Sequence, residues 1–255
     1  MTQIQYAADE AQSLIMDIYY PSPHSPQAIS TSAPVVVLVT GHVDSLIETT
    51  MGCKLKDTEQ YRCWAKLLAA SGIVAITYNN QNPAQDVFTL FNFLAENQQT
   101  LGVDVDNLGI WSCSANVPNA LGLAMSKQFN IRCAAFLYGY MLDNQENSFV
   151  AQAASKAGFA APNVNRTVKH LPPEMYLHIV RAGADQFPGI NQTIDNFCAD
   201  AIEENLPITL VNHPYAPHSF DIVDHSEQSK TIVLDVLRFF VSHLTKGEPT
   251  IAQVD

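Results

Sequence analysis

The chain has 255 residues, of which 47% are apolar and 15% charged, and its formal net charge at pH 7 is −12. That length suits one α/β domain over residues 1–255 with a sizeable core, and this composition excludes wholesale disorder. The acidic balance, with no cluster of Lys and Arg, makes nucleic acid and anionic membranes poor partners. The longest apolar runs are far shorter than a membrane span, and Met1-Thr2-Gln3-Ile4-Gln5 carries neither the basic flank nor the apolar stretch of a secretory signal. Five cysteines (Cys53, Cys63, Cys113, Cys133 and Cys198) make an odd count with no Cys-x-x-Cys pair. This argues against a disulfide framework or a zinc site, and a soluble cytoplasmic protein is the expectation.

In chain order, Leu14 to Tyr20 reads as an early strand ending at Pro21, and Pro21 to Pro34 reads as a loop. Val35 to Val39 is an unbroken β-branched run, the pattern of a strand buried on both faces, and Thr40-Gly41-His42 breaks it. Asp57-Thr58-Glu59-Gln60 resembles a capping box opening a helix with the stripe Tyr61, Trp64, Leu67 and Leu68, closed near Gly72. Ile73 to Tyr78 is the next strand; Asn82-Pro83 starts a helix carrying Val87, Leu90, Phe91, Leu94 and Ala95 on one face. Leu108 to Trp111 is a strand, followed by a turn of small residues and a helix over Val117 to Ser126. Cys133 to Tyr138 and Met175 to Val180 are further strands. A helix with the stripe Ile194, Phe197, Cys198, Ala201 and Ile202 follows, then a strand over Pro207 to Val211 and a last helix with Ile232, Val233, Val236, Leu237 and Phe240. This alternation predicts repeated βαβ units, hence a mostly parallel central sheet with helices on both faces. Residues 139–174 break the rhythm: one short helical patch (Val150 to Ala157) and the loop Ala161 to Asn165 make a possible cap or cover.

The turn after Trp111 reads Ser112-Cys113-Ser114-Ala115-Asn116. A nucleophile on a sharp strand-to-helix turn needs small residues two positions to either side. Centring on Cys113 would put Trp111 in that place and centring on Ser112 would put Ile110 there, so Ser114 is the candidate nucleophile. Ser112 and Asn116 stand where the usual motif has glycines; Ser is small, and Asn is the non-glycine residue that best tolerates positive φ. A serine needs a base, and the base needs an orienting acid. In open parallel sheets these come from the carboxyl ends of later strands, in the order Ser, acid, His. Asp185 is the first carboxylate after the strand ending at Val180; Asp195 and Asp200 fall on the outer side of the next helix. Of eight histidines, His24, His42 and His170 precede the acid, His178 lies within a strand and His243 within the last helix. His213, His218 and His225 remain; His218, in a loop and followed two residues later by Phe220, is the preferred base, with His225 second. Two backbone N–H groups should form an oxyanion hole: that of Ala115 at the helix N-terminus, and that of His42, with Val43 close behind.

With these segments in order, the chain resembles the α/β-hydrolase superfamily, and within it the dienelactone-hydrolase-like serine hydrolases. The resemblance rests on Thr40-Gly41-His42, Ser112 to Asn116, Asp185 and His218-Ser219-Phe220, and runs from about Leu14 to the final helix. Dienelactone hydrolases proper carry a Cys nucleophile where Ser114 stands here. The resemblance implies hydrolysis of a carboxylic ester or related acyl bond of a small molecule through an acyl-enzyme, with no metal or organic cofactor. Val43, Tyr138 and Tyr140 are candidate substrate-binding residues, with Phe149 and Phe159 as further aromatic candidates, and a homo-oligomer is an open expectation. The competing reading is a catalytically impaired α/β-hydrolase fold that binds a small ligand or a partner, motivated by the two missing glycines.

Overall fold

The computed structural model describes residues 1–8, 13–22, 32–142, 149–163 and 165–245. Parts of the expected Pro21 to Pro34 loop, of the 139–174 cover and of its Ala161 to Asn165 loop therefore lie outside the described residues. Among those described, eight strands form one sheet: β1 (Thr2–Ala8), β2 (Ser13–Tyr19), β3 (Ala33–Leu38), β4 (Val74–Tyr78), β5 (Val103–Cys113), β6 (Ile131–Leu137), β7 (Tyr176–Ala182) and β8 (Ile208–His213). Their spatial order is β1-β2-β4-β3-β5-β6-β7-β8. β1 pairs antiparallel with β2 and β2 antiparallel with β4, and all pairings from β4 through β8 are parallel.

The pleat divides the core into two halves. Val35, Val37 and Val39 point to one face, Val36 and Leu38 to the other, and all are fully buried. The first face packs under α3 (Pro83–Leu101), α4 (Val117–Ser126), α5 (Phe149–Ala157) and α6 (Ile190–Glu203). The second packs under α1 (Asp44–Met51), α2 (Glu59–Ala70), α7 (Phe220–Val223) and α8 (Glu227–Leu244). Trp111 on β5 anchors the second half, edge-on to Tyr61 at 5.5 Å and tilted against Trp64 at 5.2 Å between ring centroids.

α2 starts where the sequence puts it but without the expected capping box: the N-cap is Thr58, whose side chain accepts from the Tyr61 N–H, the Gln60 side chain turns instead to Tyr138 and Asp221, and Gly72 follows the helix with φ 87°. α4 begins and ends where the sequence puts it. Five further features depart from expectation. β1 was not anticipated; it alternates, with only Tyr6 buried in the core, because it is an edge strand. α1 was not anticipated either: its N-cap, Val43, makes no side-chain capping bond, and the helix buries only Asp44 and Ile47. The four-residue α7 was likewise unforeseen. β5 begins five residues before Leu108 and shifts register between Leu108 and Gly109 against β6. On α6, Ile202 is exposed rather than part of the stripe, although Ala201 beside it is fully buried. No described helix is long and apolar enough to cross a membrane.

Candidate active site

The loops that matter all leave the carboxyl ends of the parallel strands, where an open α/β sheet offers its crevice. Ser114 follows β5 and opens a 3-10 turn, Ser114–Asn116, that runs straight into α4. Its φ is 54°, a left-handed conformation that costs a non-glycine residue about 1–3 kcal/mol. The turn is held in place by the Tyr140 N–H, which donates to the Ser114 carbonyl at 3.3 Å.

The two residues that replace glycine each have work to do. The Ser112 hydroxyl is fully buried and donates to the Val39 carbonyl at 3.0 Å, tying β5 to the end of β3. Asn116 has φ −85°, so its tolerance of positive φ is not what selects it; the left-handed residue of this turn is Ser114. Asn116 Oδ1 instead accepts the Gly41 N–H at 2.7 Å and lies 3.4 Å from His42 Nδ1. A Cβ on Gly41 would stand 2.9 Å from Asn116 Cα and 3.0 Å from the Ala115 carbonyl oxygen, so only glycine lets the β3 loop come this close.

Two further asparagines, missed in the sequence, clamp the same loop. Asn119 Nδ2 donates to the Thr40 carbonyl at 2.8 Å, and Asn80 Nδ2 donates to Thr40 Oγ1 at 2.9 Å and to the His42 carbonyl at 3.0 Å. The Asn80 N–H in turn donates to Asp44 Oδ2 at 2.9 Å, and burial pushes the Asp44 carboxyl up to about 6. Ala160 N–H donates to the Gly41 carbonyl at 2.8 Å, which brings the segment after α5 against the loop. After these bonds the His42 N–H has no partner among the described residues, and Ala115 N–H opens a helical turn whose early amides are free by construction. Burial lowers the His42 imidazole below its ordinary pKa and keeps it neutral.

Asp185 sits in the turn after β7, and its side chain has no exposed surface. Its Oδ1 accepts the Phe187 N–H at 2.9 Å, an Asx-turn, while Oδ2 accepts from His218 Nδ1 at 2.6 Å. His218 lies in the loop between β8 and α7, with Nε2 at 2.8 Å from Ser114 Oγ. This geometry suits the tautomer with hydrogen on Nδ1, leaving the Nε2 lone pair to the serine. The acid turn and the histidine loop are sewn together: Gly183 N–H donates to the His213 carbonyl at 2.8 Å and Ala184 N–H to the Ala216 carbonyl at 2.9 Å. A Cβ on Gly183 would sit 2.4 Å from the Pro214 carbonyl oxygen, so this close approach too needs glycine.

The structure thus brings together Ser114, His218 and Asp185 in one line, and Ala115 and His42 beside the serine. The other candidate bases lie elsewhere. His213 is buried against Ser229 Oγ at 3.1 Å, and His225 lines a separate surface pocket of about 300 Å³ with Asp224 and Lys230. The rings flanking His218 are Tyr138 at 4.8 Å and Phe187 at 4.5 Å; Phe220, two residues after the histidine, packs one layer back on Tyr138 and His213. Val43 is half-buried as the N-cap of α1. Tyr140 stacks on Phe159 at 5.7 Å and donates to the Pro188 carbonyl at 3.1 Å, and Phe159 meets the His42 ring edge-on. Phe149 is 45% exposed at the start of α5. Tyr138 has no exposed surface and stands behind the histidine rather than on an open wall. Among the described residues no group of three or more His, Cys, Asp and Glu is arranged to hold a metal ion.

No protein-family model matches the sequence, and no curated protein matches it. The fold does match solved structures. Esterase 2 of Thermogutta terrifontis, phosphoramylated by tabun, is 16% identical with a TM-score of 0.70, covering 96% of each chain. Carboxyl esterase 2 of the mycorrhizal fungus Tuber melanosporum is 16% identical with a TM-score of 0.72, covering 96% of this chain and 87% of its own. Esterase LipW of Mycobacterium marinum is 14% identical with a TM-score of 0.70, covering 96% and 82%. The chain has the α/β-hydrolase fold.

Proposed function

We propose that the protein is a serine hydrolase that cleaves a carboxylic ester of a small molecule through an acyl-enzyme. The observation that carries this reading is the unbroken hydrogen-bonded line Ser114–His218–Asp185, at 2.8 and 2.6 Å, with the serine in a strained left-handed turn. Three side chains 33 and 104 positions apart in sequence do not adopt such a line for packing alone.

In this mechanism His218 Nε2 takes the proton of Ser114 as Oγ attacks the ester carbonyl. Negative charge develops on the carbonyl oxygen, and the N–H groups of Ala115 and His42 donate to it; each such donor is worth about 10²–10³ in rate. Protonated His218 then delivers its proton to the departing alkoxide, giving the alcohol and a Ser114 acyl ester. Water attacks that ester with His218 again as base, releasing the carboxylic acid and restoring the serine. Asp185 holds Nδ1–H throughout and stabilises the imidazolium, and its burial away from solvent strengthens that interaction.

The names of the structural relatives support the same chemistry: they are esterases, and one carries an organophosphorus adduct. Within the fold, the dienelactone-hydrolase-like affinity of the Thr40-Gly41-His42 and His218-Ser219-Phe220 segments belongs to this proposal, with Ser114 in the place of a cysteine. The described segment after α5 supports the cover expected in 139–174, since its Ala160 is bonded to the loop at Gly41. Against the impaired-fold reading, Ser112 and Asn116 are both hydrogen-bonded within the site, to the Val39 carbonyl and the Gly41 N–H. The test is a series of p-nitrophenyl esters of graded chain length with Ser114→Ala as control. Hydrolysis by the wild type and a loss of several orders of magnitude in the variant are expected; a Ser114→Ala protein as active as the wild type would refute the proposal.

A further inference from the structure

Beside His218, beyond the Tyr138 ring, lies a compact set of polar side chains that the triad chemistry does not use. Asp221, three residues after His218 on α7, receives three hydrogen bonds: from Tyr138 Oη at 2.5 Å, Gln60 Nε2 at 2.8 Å and Trp64 Nε1 at 2.8 Å. Gln60 Nε2 also reaches Tyr138 Oη at 2.6 Å. The other end of the Gln60 amide accepts from the Cys113 thiol, with Sγ at 3.9 Å from Oε1. Cys113 is the residue immediately before Ser114. One side chain of α2 therefore touches both the strand end that carries the nucleophile and the short helix that follows the base.

Tyr138 completes the connection. It ends β6 with φ 38°, an unusual conformation for a bulky side chain, and its N–H is held by the Val180 carbonyl at 2.7 Å. This backbone turns the ring under the imidazole, edge-on at 4.8 Å and 67° to His218. Burial and the neighbouring Asp221 carboxylate push the Tyr138 phenol far above its ordinary pKa, so it remains a donor at any working pH.

We propose that Gln60, Tyr138 and Asp221 form a cross-brace that sets the separation of Ser114 Oγ and His218 Nε2, which makes Tyr138 a positioning residue rather than a substrate-binding one. The inference rests on Ser114 and His218 being nucleophile and base. A carboxylate accepting three bonds has its orientation fixed, and the imidazole resting on a ring tied to that carboxylate has little freedom to tilt. Reaction geometry is sensitive at this level, since a displacement of about 1 Å can cost about 100-fold in rate.

Tyr138→Phe keeps the ring under His218 and on Phe220 while deleting the hydroxyl. Asp221→Asn keeps the shape but turns one acceptor oxygen into a donor facing donors. Both, and their double variant, are to be compared with the wild type and with Ser114→Ala in kcat and KM on p-nitrophenyl acetate, with thermal melting alongside. The brace predicts kcat lowered by about ten-fold or more in each single variant with KM within about two-fold, the pattern of lost transition-state geometry. It also predicts a double variant no worse than the more damaging single, because both break one unit. An unchanged kcat in Tyr138→Phe, a change confined to KM, or losses that multiply in the double variant would overturn it. Should Asp221→Asn fail to fold, Tyr138→Phe alone decides through its kcat and KM. Hydrolysis that survives Ser114→Ala would sink the proposed function itself, whereas Ser114-dependent hydrolysis indifferent to Tyr138→Phe would sink only the brace.

Discussion

Replacing Asn116 with glycine would restore the residue that nucleophile turns of this fold usually carry, yet the structure predicts damage. Asn116 has φ −85°, so glycine relieves no strain there and instead adds backbone freedom worth about 0.5–1 kcal/mol to the unfolded state. The substitution removes the acceptor of the Gly41 N–H at 2.7 Å and the polar contact of His42 Nδ1 at 3.4 Å. The Gly41 N–H is buried, and leaving such a donor unpaired costs about 1–3 kcal/mol. Together these give a loss of stability of about 2–4 kcal/mol, or about 4–16 °C in melting temperature for a chain of this length. In the proposed mechanism the same bond holds the His42 amide over the reacting carbonyl, and complete loss of one oxyanion donor costs about 10²–10³ in kcat, which sets the ceiling. A partial displacement puts the expected fall in kcat for Asn116→Gly at about ten- to one-hundred-fold. The assays are p-nitrophenyl acetate kinetics and thermal melting. A variant as active and as stable as the wild type would refute the account of Asn116 as the clamp of the oxyanion loop.

Two further outcomes concern stability. Asp44 ionises near 6 in the folded chain, above its usual value of 3.8, so the folded state resists a charge that the unfolded chain accepts. Stability from this group is therefore fully present below about pH 4 and is lost as pH rises through about 6. Asn cannot ionise, so the stability of Asp44→Asn relative to wild type should increase by up to about 3 kcal/mol between pH 4 and pH 7 in urea melts; a gap that does not change with pH would contradict this. Lys56→Met leaves Asp17, whose side chain is 3% exposed, without its 2.8 Å partner between β2 and the turn before α2. A loss of about 3–5 kcal/mol is expected at neutral pH, and a variant within about 1 kcal/mol of wild type, the range of an exposed pair, would show that the pair contributes little.

How much of this was legible in the sequence depended on how local the cause was. The choice of Ser114 as the centre of its turn follows from the bulk of Trp111 and Ile110 within five residues, and Ser114 is the residue of that turn with a left-handed φ of 54°. Asp185 and His218 could be ranked because strand order in a parallel sheet dictates where their loops emerge, and the structure sets them in line with Ser114. The role of Asn116 was not legible: its partner, Gly41, is 75 positions away, and only the crossing of two loops brings them together. The same distance hid Asn80, Asn119, Gln60 and Asp221, whose partners lie 36–161 residues off in the chain. Tyr138 reads from the sequence as a substrate-binding aromatic, but the structure buries it fully behind His218, in an orientation set by a positive φ just after β6 that no pattern announces. The strand β1 did leave a trace in the alternation of Ile4 and Tyr6, too short to stand out; α1 left only Gly52, at φ 77°, as its stop.

The account stands or falls on Ser114 as an activated nucleophile. The direct measurement is covalent labelling of the folded protein with a fluorophosphonate, followed by fragmentation of the peptide that contains Ser112, Cys113 and Ser114. The expected result is one adduct on Ser114, formed rapidly at neutral pH, abolished in Ser114→Ala and strongly slowed in His218→Ala. Folded protein that takes no label, or that takes it on a residue other than Ser114, would contradict the central claim.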